Sequence, residues 1–160
     1  MPTTPNEVVI LRAIVSRLEA ATGGSYHYDA DSAFLVDRTQ VKHLAEIDEE
    51  KTLYLVEPGQ VIITPDTSCK MLFSGDAVVT GARKTGTPEL PWETGHVPPV
   101  EVKLKVFADI YTALNNQSVN VDGDAVIVFV SDRNLNIVEV DGWAIVQASL
   151  RFEWSEVIGG

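Results

Sequence analysis

The stretch Ala144-Ile145-Val146-Gln147-Ala148-Ser149-Leu150-Arg151-Phe152-Glu153-Trp154 carries the clearest pattern in the chain. Ala144, Val146, Ala148, Leu150, Phe152 and Trp154 fall on one face of an extended strand, and Gln147, Ser149, Arg151 and Glu153 fall on the other. Strand side chains alternate with a period of two. Alternation held this long predicts a sheet with one side on a core and the other facing water or another subunit. Such a strand serves one sheet, or has its edge continued by a neighbouring chain.

Upstream the β signals continue. Asp141-Gly142 reads as a tight turn after Asn136-Ile137-Val138-Glu139-Val140, and Ala125 to Val130 reads as a buried strand. Asp122-Gly123-Asp124 reads as a hairpin connection, because Asp-Gly suits a type I′ turn. A helix is expected from about Val102 to Asn115, with Leu104, Phe107, Ile110, Tyr111 and Leu114 as its apolar stripe and Asn115-Asn116 as terminators. Before it, Lys84 to Pro99 holds Pro88, Pro91 and Pro98-Pro99, two glycines and Trp92, with no periodicity. A loop of this length in a compact domain is usually functional or mobile.

The middle of the chain predicts an antiparallel meander. Leu53 to Val56, Val61 to Ile63, Met71 to Phe73 and Ala77 to Thr80 are separated by turn signals at Pro58-Gly59, Pro65-Asp66 and Gly75-Asp76. Phe34 to Val36 suits a short strand, and the spacing of Val41, Leu44 and Ile47 fits a helical turn or an irregular strand. An opening helix is well marked. Thr4 and Glu7 form a capping box around Pro5, Leu11, Ile14, Val15 and Leu18 share a stripe, and Gly23-Gly24 stops it. The order predicts an α+β protein: one domain over residues 1–160, with two amphipathic helices packed on a mostly antiparallel sheet.

The chain has 160 residues, 45% of them apolar and 22% charged, which suits one folded domain and excludes disorder. Its net charge of −11 is spread evenly, −6 over residues 1–80 and −5 over residues 81–160. DNA binding neutralises phosphates with Lys and Arg, so this balance argues against gripping nucleic acid and against docking on anionic lipid. With one cysteine, Cys69, no internal disulfide is possible. Neither a signal peptide nor an apolar run of membrane-spanning length is present, so the expected location is cytoplasmic.

Motifs for small-molecule chemistry are weak. Gly81-Ala82-Arg83-Lys84 lacks the Gly-Lys-Ser/Thr of a phosphate loop. His27, His43 and His96 lie in separate segments, and Asp29-Ala30-Asp31 lacks the glycine of a calcium loop, so no metal is expected. Cys69 has no activating signature, and no carboxylate is marked as buried, so neither a catalytic residue nor a cofactor is expected. Trp92, in a loop that gives it no core, is a candidate partner anchor or folds back on its own domain. The run Glu46, Asp48, Glu49 and Glu50 faces solvent or a channel.

The helix from Val8 to Gly24, the strand and turn from Thr52 to Gly59, the segment Ala108-Asp109-Ile110-Tyr111-Thr112-Ala113-Leu114 and the block ending Ala148-Ser149-Leu150-Arg151-Phe152 together resemble the lambda-like tail terminator proteins of long-tailed bacteriophages. The Lys84 to Pro99 insertion departs from the family pattern. The resemblance implies a structural virion protein with no catalysis. It would form a ring of six subunits on the head-proximal end of the tail tube, ending tube growth and offering a docking surface to the head connector or stopper. DNA would pass through without specific binding, and an acidic wall suits that conduit. From pattern alone, Trp92, Gln147, Ser149, Arg151 and Glu153 are candidates for contacts with the tube or a neighbouring subunit, and Glu46, Asp48, Glu49 and Glu50 for the channel. Two alternatives stay open: another neck component, or a carboxylate-dependent hydrolase.

Overall fold

The computed structural model describes residues 3–37, 51–85, 97–136 and 142–157. Among these residues two helices, α1 (Asn6–Glu19) and α2 (Pro99–Leu114), pack on one six-stranded sheet. Its strands are β1 (Ala30–Leu35), β2 (Thr52–Thr67), β3 (Lys70–Lys84), β4 (Gln117–Val121), β5 (Asp124–Asn134) and β6 (Trp143–Val157), in spatial order β1-β2-β3-β6-β5-β4. All neighbours are antiparallel except β1 and β2, so the α+β expectation holds.

The alternation read in β6 is the organising feature. Ala144, Val146, Ala148, Leu150, Phe152 and Trp154 are all buried in the main core with Tyr54, Val56, Val79 and the inner faces of both helices. The other face is polar only from Gln147 onward. At its start Ile145 is buried with Leu53, Leu55 and Ala82 in a second, smaller cluster. β6 lies inside the sheet, paired with β3 along its whole length and with β5 over Gln147 to Arg151. Among the described residues, β6 has no β5 partner over Trp143 to Val146 or over its last six residues, where β5 has turned away.

The expected meander of short strands is instead one long hairpin. β2 runs through Pro58-Gly59 and Pro65-Asp66, and β3 runs through Gly75-Asp76, with the turn only at Ser68-Cys69. The register shifts beside both prolines, between Pro58 and Val61 and between Pro65 and Thr67. This reconciles them with a strand: β1 leaves β2 after Val56, and a proline without an N–H is tolerated on an open edge or at a bulge. At Gly75 close approach decides, since a Cβ there would lie 2.7 Å from the Phe152 ring.

The opening helix forms without the predicted capping box. Pro5 is the N-cap and no side chain caps it; Asn6 instead reaches β6, its Nδ2 donating to Glu156 Oε1 at 3.0 Å. Glu7 still suits the positive N-terminal end. α1 ends at Glu19, ahead of the two glycines, and Gly23 takes the left-handed φ of 94° in the connection to β1. Ile10, Leu11, Ile14 and Leu18 form the buried stripe, each contributing roughly 1.5–3 kcal/mol of apolar transfer.

α2 starts at Pro99, so Pro98-Pro99 belong to the helix entrance; a proline suits the first turn, whose N–H groups have no intrahelical partner. Its buried face is Val102, Val106, Asp109, Ile110, Ala113 and Leu114. Leu104 and Tyr111, expected in the core, are exposed, and Phe107 is half-buried. The helix has two apolar faces, and the sheet takes the one containing Asp109. β4 was missed in the sequence because Gln117-Ser118-Val119-Asn120-Val121 is short and mixed. Its turn follows the Asp-Gly expectation, with Asp122 and Gly123 both left-handed at φ 51° and 85°. Val41, Leu44, Ile47 and Ile137 to Val140 lie outside the described residues.

Candidate functional site

Of the residues singled out in the sequence, Gln147, Ser149, Arg151 and Glu153 share the sheet face opposite the helices. Gln147 is half-buried, its Nε2 donating to Thr80 Oγ1 at 3.2 Å. Ser149 and Arg151 line a depression of about 440 Å³ with Asp76, Ser131 and Asp132, where β5 bulges between Val130 and Asp132. Glu153 is exposed and accepts a hydrogen bond from Ser74 Oγ at 3.2 Å. It lines a separate cleft with Lys70, Leu72, Ser155 and the β4–β5 turn, opened because β5 leaves β6 beyond Arg151. So the structure joins Ser149 to Arg151 and puts Glu153 in another depression. Trp92, Glu46, Asp48, Glu49 and Glu50 lie outside the described residues, as do His43 and His96.

Beyond Val56 the long hairpin becomes an arm. From Pro58 to Thr67 every β2 residue except Val61 is exposed, Ile62 and Ile63 among them at 55% and 53%. β3 and the end of β6 extend beside it, in register from Lys70↔Val157 inward. Because Phe152 and Trp154 face the core, Glu153, Ser155 and Val157 face the other way. Ile62 and Leu72 share that side through the pairs Ile62↔Ser74↔Glu153 and Thr64↔Leu72↔Ser155. Among the described residues, no strand pairs with the arm's flanks, along β2 after Val56 and along β6 after Arg151.

A buried polar cluster was missed altogether. The Asp109 side chain is 1% exposed. Its Oδ1 accepts the backbone N–H of His27 at 2.7 Å and its Oδ2 that of Tyr28 at 3.0 Å. Burial raises its carboxyl above the ordinary 3.8, against the lowering effect of those two donors, of His27 and of Arg83. Burial also pushes the neighbouring Tyr54 phenol up, with the Asp109 charge adding to the effect. The Arg83 guanidinium stacks 4.0 Å from the Tyr28 ring centre. Thr52 Oγ1, Tyr54 Oη and Arg83 Nη1 are buried beside it, the Tyr54 hydroxyl in weak contact with the Thr52 side chain. With both oxygens occupied by backbone donors, Asp109 acts as a fastener holding the α1–β1 connection to α2. The segment around it carried a resemblance, but an Asp between Ala108 and Ile110 gives no periodic signal that it turns inward.

Beside it, Gly23, Tyr26, His27, Tyr28, Asp29, Lys51 and Arg83 line a shallow recess of about 520 Å³. Asp29 in this recess is engaged with the backbone, its Oδ1 accepting the Gly23 N–H at 3.1 Å. Cys69 is exposed in the hairpin turn, within 3.7 Å of Thr67 Oγ1. Among the described residues no three His, Cys, Asp or Glu side chains come together in a metal-binding group. Among them, too, no helix is long and apolar enough to cross a membrane. No family model matches the chain, and no curated protein matches it.

Proposed function

We propose that the chain is a structural subunit of a long-tailed bacteriophage, a tail terminator that forms a ring, of six subunits, on the head-proximal end of the tail tube. The ring ends tube polymerisation and presents a surface to the head connector or stopper, acting in the host cytoplasm during assembly and then at the tail–head junction of the virion. The observation that carries this reading is the arm: a three-stranded extension whose outer strands pair with no further described strand, with Ile62, Ile63 and Val157 exposed. A subunit that closes a ring must meet its neighbours through two different faces, and the exposed outer side of this extension supplies one of them.

Charge supports the same reading. A subunit of net charge −11 keeps duplex DNA off a lumen wall within a Debye length, about 8 Å at physiological salt. The proposed ring performs no catalysis and needs no cofactor; fit against the tube, the connector and its own copies is what it contributes.

Purified chain added to growing tail tubes tests the proposal. Electron micrographs are expected to show density at one tube end, and added tube protein no longer lengthens those tubes. Undiminished growth with bare ends would overturn the reading. Binding to emptied heads in the absence of tubes would favour a head-side neck component instead.

A further inference from the structure

Two exposed apolar patches of opposite charge lie on different elements of this chain. The first is the outer stripe of α2. Val100, Leu104, Phe107 and Tyr111 recur at intervals of four, three and four residues, which puts them on one helical face, and Val100, Leu104 and Tyr111 are 51%, 39% and 48% exposed. Basic groups frame it. Lys103 reaches the Leu135 carbonyl, Lys105 pairs with Glu101 at 3.2 Å, and the Arg133 guanidinium sits 5.3 Å from the Phe107 ring centre. Among the described residues, three cations against one anion is unusual local company in a chain of 12 Lys and Arg and 23 Asp and Glu.

The second patch is the outward side of the arm. Ile62, Leu72 and Val157 share it, as established by the strand register. Glu57, Asp76 and Glu153 share that side and Asp66 lies at the tip, against Lys70 and Arg151. The patch is therefore net acidic. It faces away from the helices, so it cannot meet the α2 stripe of its own copy.

We propose that the acidic arm of one copy docks on the basic α2 stripe of a second copy, head to tail. Isoleucine and valine from the arm cover Leu104 and Tyr111, while the acids of the arm meet Lys103, Lys105 and Arg133. Charge complementarity picks this occupant: an acidic, apolar surface is what the stripe is built to receive, and the chain itself carries one. Because the two patches differ, the contact is heterologous, and repetition closes a ring if the rotation allows. The docking rests on the ring reading in needing self-association, but names surfaces that reading leaves open.

Two variants at exposed positions test it, Ile62→Asp in the arm and Leu104→Asp in the stripe, with thermal melts confirming that both fold. Tyr111→Asp and Val157→Asp repeat the test at other positions of the two patches. In sedimentation experiments the wild type is expected to self-associate, less so at high salt, and each variant at least tenfold more weakly. An equimolar mixture of the Ile62 and Leu104 variants should form a 1:1 dimer that grows no further, since one intact stripe meets one intact arm. A wild type that stays monomeric at high concentration, variants that associate like wild type, or a mixture with no dimer would overturn the docking. Tube capping is scored separately. Capping that survives in both variants leaves the ring reading standing without this interface, and a 1:1 dimer from a chain that caps no tubes does the reverse.

Discussion

The Asp109 carboxylate, on the inner face of α2, accepts the backbone N–H of His27 at 2.7 Å, across 82 positions of sequence. Together with the Tyr28 contact at 3.0 Å it fixes the connection that carries the chain from α1 into β1, the parallel edge strand. Replacing Asp109 by Ala leaves two partly buried N–H donors unmatched, which costs about 2–4 kcal/mol. Urea denaturation measures this directly; a change below 1 kcal/mol would mean that the connection is held by its packing alone.

The same carboxylate gives a pH signature. Its native pKa is raised above the unfolded value of 3.8, so the native state holds the proton more tightly. Stability from this group is fully present below the unfolded value and is lost as pH rises through the raised native value. In Asp109→Asn that dependence disappears. The stability difference, wild type minus variant, is therefore expected to fall as pH rises above the unfolded value of 3.8 in parallel urea titrations. A constant or rising difference contradicts the assignment.

Gly81 on β3 sets how closely α2 lies on the sheet. A Cβ there would come within 2.6 Å of Val106 Cγ1 and 3.3 Å of both Ile110 Cδ1 and the Tyr54 ring. Gly81→Ala is expected to destabilise by about 1–3 kcal/mol through overpacking. A companion Val106→Ala change in the same chain should recover part of the loss, since the clash is with that side chain. Thermal melts of the single and double variants decide it.

Tyr54 is fully buried, and its hydroxyl makes a weak contact with the Thr52 side chain, short of standard hydrogen-bond geometry. Tyr54→Phe keeps the ring packing and removes a weakly compensated polar atom, so stability is expected to stay within about 1 kcal/mol of wild type. A loss of 2 kcal/mol or more would show that the hydroxyl is bonded in solution.

Cys69 sits exposed in the β2–β3 turn. A thiol reagent should modify it to completion in the native protein, without denaturant, at a dilution where copies do not associate. Cys69→Ser is expected to shift stability by less than about 0.5 kcal/mol, in line with a surface position. Resistance to the reagent in the native state would place the turn under a covering surface, as an assembly of copies through the arm would do.

The elements that the sequence showed plainly are those whose signal is local. β6 and the two helices follow from periodicity, and the β4–β5 turn from the preference of Asp-Gly for positive φ. Where the reading failed, the deciding forces were not local. Proline and glycine suggested breaks at Pro58, Pro65 and Gly75, but an open strand edge accepts proline, and glycine at position 75 is required by the Phe152 ring across the sheet. Of the candidate site, Ser149 and Arg151 were legible as neighbours on one polar face. Their separation from Glu153 was not, because it depends on where β5 departs.

By itself the sequence determined the class of the protein: an acidic chain whose alternating and helical stripes demand a sheet with helices on one side. Period and charge are properties of neighbouring residues, and they survive without knowledge of the fold. The tertiary structure alone decided which of the two apolar faces of α2 enters the core, that Asp109 turns inward, and that β2, β3 and β6 run on together as an arm. Those outcomes come from long-range strand pairing and from the competition between faces for one sheet, where total burial over the whole domain selects the winner.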